Sequence, residues 1–521
     1  MGAPPAIATR KPAANLTRVL QTWWGKLFIP SLSDFFFFAV TLWMFFSGQG
    51  WNQLLMDGDT GWHIRTGEYI LDHHAVPTSD LFSFSKAGEP WFAWEWLADV
   101  IYGWLFRSMG LKGVVLLSGL IISLIATIIL RHMLWRKANL FISLAITLFC
   151  AAAASIHYHA RPHLFTLLFL VITMWMLDRD RSSPSWHVWL LIPLTALWTN
   201  LHGGFLLIIA VTGLLAVGTM VEAFFLQSRR WSSAFRYPAL LAGCSLATIL
   251  NPYGIGLHKH ALEYLRSTWI KDMVEEFHSP NFHSESMLYF EILLFLGFAA
   301  AVGFLRRRRI VEPLWIVYFA HTALESARHV TIYVLLAGPI VAIEATKWWL
   351  DWSKDYSRKS LPGILNQLAG EMGSGFRWAS IWPVVLAVGL VFIGHPIQWP
   401  SDFSDERFPA KIVSAHREQI AAARVLTSDQ WGDYLIFQLY PATKVFMDGR
   451  SDFYGEELGK EYLAVLQGQY NWNAILTKYK FSIVLAPISW PLCSLLKQAK
   501  DWTVVADDGK AILFLRKADS K

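Results

Sequence analysis

The chain has 521 residues, 54% hydrophobic and only 16% charged, a composition that excludes an ordinary soluble domain and a disordered chain. The formal net charge of +6 is modest, and in so apolar a chain the cations read as topology signals, so no nucleic-acid partner is expected. Cys150, Cys244 and Cys493 lie too far apart for a zinc motif or a disulfide framework.

Residues 1–32 hold prolines and cations but no continuous apolar run with a small-residue cleavage site, so they are expected to be a cytoplasmic segment with the first span retained. Apolar runs then predict spans at 33–50, 111–131, 138–157, 163–178, 187–199, 203–226, 237–250, 287–305, 311–324, 329–346 and 380–397, eleven in all. Cations cluster at alternate ends of these runs. Arg10, Lys11, Arg18 and Lys26 precede the first, Arg131, Arg136 and Lys137 follow the second, and Arg179 and Arg181 follow the fourth. Arg229, Arg230 and Arg236 come after the sixth, Arg306 to Arg309 after the eighth, and Lys347, Lys354, Arg358 and Lys359 after the tenth. The positive-inside rule makes the N-terminus cytoplasmic, and an odd number of spans places the chain from Ser401 outside. The expected fold class is an α-helical polytopic membrane protein of the cytoplasmic (inner) membrane. Its membrane body is 33–397, with a large first outer loop at 51–110, and 401–521 form an extracytoplasmic, in a bacterium periplasmic, α/β domain.

Under that topology the polar segments that are not basic clusters face outward. The first loop reads Met56-Asp57-Gly58-Asp59-Thr60-Gly61-Trp62-His63-Ile64-Arg65, where Asp59 and His63 are spaced to share one face of a helix. Asp57, Asp59 and His63 are a candidate ligand set for Mg²⁺ or Mn²⁺; alternatively an Asp takes a proton from an attacking hydroxyl while Arg65 meets a phosphate. The plainer alternative makes Asp59 a helix N-cap and Trp62 an interfacial anchor. Further on, Glu95 stands between Trp94 and Trp96 at the start of a second interfacial helix that carries Asp99, and a carboxylate at the membrane boundary needs a partner.

The second outer loop packs His157, His159, Arg161 and His163 into seven residues, which suits metal ligation, titration or a phosphate clamp as well as headgroup contact. His202 follows at the third outer turn. A longer segment then carries His258, Lys259, His260, Glu275, Glu276, His278 and His283, and Arg328 with His329 opens the tenth span, with Glu325 or a ligand phosphate as the expected partner of Arg328. Together these groups describe one polar outer cavity suited to an anionic lipid-linked substrate.

The tail is expected to hold a helix to about Leu426, strands at 434–437 and 444–447, and helices near 456–468 and 472–480. A strand at 481–486, a helix at 489–500 and a hairpin of 502–506 with 511–515 complete it. Its most chemical stretch is Asp448-Gly449-Arg450-Ser451-Asp452, which also suits a plain turn.

An acidic first loop, many helices and an outer C-terminal α/β domain together resemble the GT-C glycosyltransferases. Asp57-Gly58-Asp59 with Trp62-His63 and Arg65-Thr66-Gly67 resembles the first-loop signature of a bacterial group within that superfamily. Trp431-Gly432-Asp433-Tyr434 and Phe446-Met447-Asp448-Gly449-Arg450 look like the same group, and distantly like the Trp-Trp-Asp-Tyr-Gly motif of oligosaccharyltransferase catalytic subunits. Gly432 replaces the second tryptophan of that motif and Leu435 its glycine. The resemblance implies an inverting transfer of a sugar from a polyprenyl-linked donor to a glycan, lipid or protein acceptor, with Asp59 or Asp57 as general base or metal ligand. Asp57 and His63 would then support Asp59, and Arg161 and Arg328 would clamp the phosphate. Arg65, Glu95, His159, His163, His202, His329, Asp433, Asp448 and Arg450 are the further expected substrate contacts. A non-catalytic scaffold or polysaccharide-export partner is the alternative; a transporter of lipid-linked saccharide would place charges at mid-membrane, and the sequence puts none there.

Overall fold

The computed structural model describes residues 22–46, 50–226, 231–376, 378–394 and 397–517; Arg10, Lys11, Arg18, Arg229 and Arg230 lie outside them. Each of the eleven apolar runs forms a helix. Among the described residues six helices are long and apolar enough to cross a membrane: Trp23–Phe46, Leu111–Trp135, Leu140–His157, Gly203–Phe224, Glu285–Arg306 and Ala327–Ser353. Leu191–Leu201, Trp231–Ala247, Val311–Glu325 and Trp382–Phe392 are shorter, and His163–Ser182 ends in the charges Asp178 to Arg181, so eleven full-length spans are not met.

Local chemistry explains the helices. Asn139 accepts from the Phe141 N–H at 2.9 Å and caps Leu140–Ala154, while Ser118, Ser123 and Thr127 return their hydroxyls to the carbonyls four residues back. These hydroxyls are thereby satisfied within their own helix. Large apolar side chains such as Leu148, Val217, Phe295 and Val302 remain exposed on the bundle exterior, as lipid-facing positions do.

One end of the bundle is tied by ion pairs. Arg136 meets Asp178 at 2.7 Å, Arg181 meets Glu312 at 2.8 Å, Arg236 meets Asp180 at 2.7 Å, and Arg307 pairs with Glu344. These contacts gather the cation clusters after the second, fourth, sixth and eighth runs at a single end. The opposite end carries the first loop, the His157–His163 turn, the segment 251–283 and the tail.

In the first loop, helices Asp59–His73 and Trp96–Met109 pack at glycine contacts: a Cβ on Gly67 would lie 1.8 Å from the Asp99 carbonyl oxygen. In the tail, β1 (Val425–Leu426) pairs parallel with β2 (Ile483–Pro487), which pairs antiparallel with β4 (Ala511–Arg516), itself antiparallel to β3 (Trp502–Asp507). Helices Ser451–Leu466, Trp472–Lys478 and Pro491–Gln498 fall where the sequence placed them.

Three tail expectations are corrected. Residues 434–437 are not a strand but the middle of helix Asp429–Leu439, capped by Ser428 Oγ on the Trp431 N–H at 3.1 Å. Its residues from Trp431 to Phe437 are all buried, so the helix shows no polar face and its apolar run reads like a strand. Residues 444–447 join no tail sheet; Val445 bridges in parallel to Ser83 of the first loop, exchanging backbone bonds of 2.9 Å with Phe82 and Phe84. The helix expected from His416 to about Leu426 is only Arg417–Ala421, followed by β1; a separate short helix, Ala410–Ala415, precedes it. One contiguous apolar core runs from the bundle through the first loop into the tail, so the tail is packed as part of the body.

Candidate active site

Between the loop, the bundle end and the tail lies a cavity of about 380 Å³. Asp59, at the start of helix Asp59–His73, faces it, and Arg161 reaches it because the second loop docks on the first: Ala160 N–H bonds the Leu54 carbonyl at 2.8 Å and Thr60 Oγ1 bonds the Ala160 carbonyl at 2.9 Å. Arg161 then sits among three carboxylates, 2.8 Å from Asp57, 2.8 Å from Asp59 and 3.0 Å from Glu276. Asp57 also accepts the Asp59 backbone N–H at 3.0 Å. Burial pushes the Asp59 carboxyl up to about 7 against the pull of Arg161, with Asp57 and Glu276 adding to the rise. For Glu276 burial also acts upward, but Arg161 and Arg328 outweigh it and hold the group well below the carboxylate range.

His63 turns to another neighbour. Its Nδ1 is 2.6 Å from Asp99 and its Nε2 3.5 Å from Glu95, whose other oxygen lies 3.3 Å from His202 Nε2. The expected metal set of Asp57, Asp59 and His63 is therefore not assembled. Both imidazole nitrogens are engaged away from the two aspartates, and the Asp57 and Asp59 carboxylates already hold a guanidinium. Among the described residues no group of three or more His, Cys, Asp or Glu side chains is disposed to hold a metal ion. Burial shifts the His63 ionisation well below its ordinary value and that of Asp99 well above, so it favours the neutral form of each.

Glu95 belongs to the same row of side chains, pushed up to about 8 by burial against the opposing charge of Arg161. The unfolded chain ionises this group above its ordinary 4.5 while the folded chain keeps it neutral to about 8. Its cost to stability therefore grows between those pH values and is complete above the second. Glu95→Gln, which has the shape of the neutral acid, is expected to melt like wild type near about pH 5 and higher than wild type near about pH 9. Equal melting of the two proteins at the higher pH would show that folding does not raise the Glu95 ionisation.

Arg328 lines the cavity, bonds Tyr264 Oη at 3.2 Å and lies 4.5 Å from the Phe277 ring centre. Its expected partner Glu325 instead lies near exposed His321 at 3.9 Å, because Ser326 is extended and reverses the chain before Arg328. Among the described residues Arg328 has no carboxylate ion pair. His163, His202 and His329 also line the cavity.

Four expected contacts, His159, Arg65, Asp448 and Asp433, do not line the cavity. His159 is outside the cavity, 3.3 Å from the Gln53 carbonyl. Arg65 bonds the Phe437 carbonyl at 2.9 Å and stacks between Phe106 and Phe437, so it fastens the loop to the tail rather than meeting a phosphate. Asp448 is buried against Arg450 at 2.6 Å, and Arg450 also reaches Asp80 at 2.8 Å, a second fastening of tail to loop whose guanidinium edges the cavity. Asp433 lies beside Asp59. Tyr264 was not singled out by the sequence, and Glu276 was named only as one of the run of histidines and acids at 258–283.

The wall is two-sided in character. Beyond the charged end it is apolar, through Leu167, Leu206, Leu207, Ala210, Phe319 and Ile332, and it reaches Tyr318, which is 43% exposed on the bundle exterior. A charged head and an apolar chain can occupy such a space together.

The fold is shared with a solved oligosaccharyltransferase. The chain is similar to the archaeal oligosaccharyltransferase AglB from Archaeoglobus fulgidus, solved in complex with an inhibitory peptide and a dolichol-phosphate, with a TM-score of 0.55 and 10% identity over 92% of this chain and 71% of that one. ArnT from Cupriavidus metallidurans aligns with a TM-score of 0.38 and 14% identity, over 92% of this chain and 96% of that chain in the apo state, and 93% and 98% bound to undecaprenyl phosphate. No family model and no curated protein matches the sequence.

Proposed function

We propose that the protein transfers a sugar from a polyprenyl-phosphate-linked donor to an acceptor hydroxyl of a glycan, lipid or protein at the outer face of the cytoplasmic membrane. The observation that carries this reading is the single cavity that joins buried Asp59 and Arg328 to an apolar wall open at Tyr318. The donor's isoprenoid chain lies along the apolar wall, and its phosphate meets Arg328, which feels the charge of Glu276 but among the described residues holds no carboxylate in a direct ion pair. Asp59 takes the acceptor hydroxyl proton as the new C–O bond forms at the anomeric carbon. The old bond breaks toward the phosphate, and its electron pair leaves as polyprenyl phosphate, whose charge Arg328 stabilises where water is scarce.

Arg161, already shared among Asp57, Asp59 and Glu276, orients the base. It stands where a divalent cation would need those carboxylates, so the transfer runs without added Mg²⁺ or Mn²⁺ and a chelator leaves the rate unchanged. The test is release of polyprenyl phosphate by the full chain in lipid, across a panel of polyprenyl-linked sugars and acceptors. Arg328→Met is expected to raise the donor KM roughly tenfold or more, as loss of a charge-assisted contact does. Failure of every donor to release its carrier would defeat the reading, and an unchanged KM would remove Arg328 from the phosphate subsite.

A further inference from the structure

The tail approaches the first loop more closely than any side chain would permit. A Cβ at Gly58 would lie 2.4 Å from the Gln430 carbonyl oxygen and 2.9 Å from the Asp433 Cβ, and one at Gly61 would lie 2.7 Å from the Asp433 carbonyl oxygen. Gln430 Oε1 accepts the Gly58 N–H at 2.8 Å, which fixes the register of this contact. On the far side of Asp433, a Cβ at Gly449 would sit 2.0 Å from Asp59 Oδ1 and 2.9 Å from Asp433 Oδ2. The two carboxyl oxygens therefore converge on the space that this glycine leaves open.

Both residues are buried, 6% and 0% exposed, and neither Asp59 Oδ1 nor Asp433 Oδ2 has a hydrogen-bond donor facing it. Each has its other oxygen engaged: Asp59 Oδ2 by Arg161 at 2.8 Å, Asp433 Oδ1 by the Gly449 N–H at 2.9 Å. Two carboxyl oxygens that face each other without a donor satisfy one another only when one of them carries a proton.

We propose that Asp433 shares one proton with Asp59, so that the tail supplies a positioning residue for the base. This rests on the reading of Asp59 as that base. The proton resides on Asp433, which donates to Asp59 Oδ1 while Arg161 holds Oδ2, and the pair carries one negative charge. The surroundings impose this order. Asp59 is faced by Arg161, Asp57, Glu276 and Asp433, whereas Asp433 is faced by Asp59, Asp429 and Asp448 and by no cation of its own, since Arg450 is committed to Asp448 and Asp80. Burial and the Asp59 charge accordingly hold the Asp433 carboxyl well above the carboxylate range. The base is complete only when the tail is docked on the loop.

The experiment pairs a spectroscopic readout with a kinetic one on the full chain in lipid. The infrared difference between wild type and Asp433→Asn at neutral pH is expected to show one protonated carboxyl band missing from the variant, and Asp59→Asn is expected to shift the same band. In kcat/KM against pH, the acid limb of Asp433→Asn is expected above that of wild type, because an amide N–H stabilises the Asp59 charge less than the carboxylic O–H it replaces. An unmoved limb with only a uniform drop in rate, or an unchanged infrared spectrum, would overturn the shared proton. So would a requirement for Mg²⁺ whose half-saturation Asp433→Asn alters, which would make the pair a cation site. The infrared readout needs no donor, so a protein that shows the band but releases no carrier would fail as a glycosyltransferase while the pair stood. Should Asp433→Asn not fold, the pH titration of the wild-type band against Asp59→Asn decides alone.

Discussion

Asp59→Asn is expected to lower release of polyprenyl phosphate by roughly 10²- to 10⁴-fold, the span over which a positioned general base acts, while leaving the protein folded. Asparagine keeps the size of the side chain and offers Arg161 an amide oxygen in place of the carboxylate oxygen now 2.8 Å away, so the loop keeps its shape. What it loses is the capacity to accept a proton. The same assignment sets the pH dependence: burial has moved this acid up to about 7, so the active, ionised form grows as the pH rises through that value, and turnover of the wild type rises with it. Steady-state rates across pH, together with a melting curve for each protein, check both statements. Wild-type turnover by the variant would sink the assignment, and a rate that falls as the pH rises through neutrality would mean that the protonated form is the active one.

Arg161→Leu is expected to be the most destabilising single change at this end of the molecule. The guanidinium neutralises three carboxylates, Asp57, Asp59 and Glu276, and only partial exposure, 22% for the arginine and 32% for Glu276, relieves their burial. Removing one partner of a buried pair costs about 3–5 kcal/mol because the charges left behind have no compensation. The cost has a definite sign with pH. Glu276 is held ionised by the arginines, so with Arg161 gone its carboxyl and that of Asp59 rise toward protonation, and acidification relieves the variant. The gap in melting temperature between variant and wild type is therefore expected to be wide near about pH 8 and narrower near about pH 5. A gap independent of pH would show that Arg161 contributes by packing and not by charge.

Helix positions and polar clusters were legible in the sequence because both depend on neighbours along the chain. Each of the eleven apolar runs is helical, and the cation clusters share one end because their alternation follows from the order of the runs. The spacing of Asp57, Asp59 and His63, the triad of His159, Arg161 and His163, and the pair Arg328 and His329 were visible as chemistry for the same reason. The buried helix Asp429–Leu439 was not legible, since a segment covered on all sides loses the periodicity that separates helix from strand. Nor was the strand-like segment at 444–447, whose partner is Ser83 of the first loop, far away in the chain.

Residue types and local spacing by themselves determined that acids, histidines and arginines would gather at one end of a helical bundle. Which of them meet was decided only by tertiary packing. The i,i+4 spacing put Asp59 and His63 on one helix, but Asp99 and Glu95 claimed the histidine, Arg161 claimed the aspartates, and Tyr264 rather than Glu325 met Arg328. Asp433 reached Asp59 only because glycines at 58, 61 and 449 let two backbones and a carboxyl pair close to within contact. A spacing states which side chains share a face; the charge each one carries is set by the burial and the partner that the fold brings to that face.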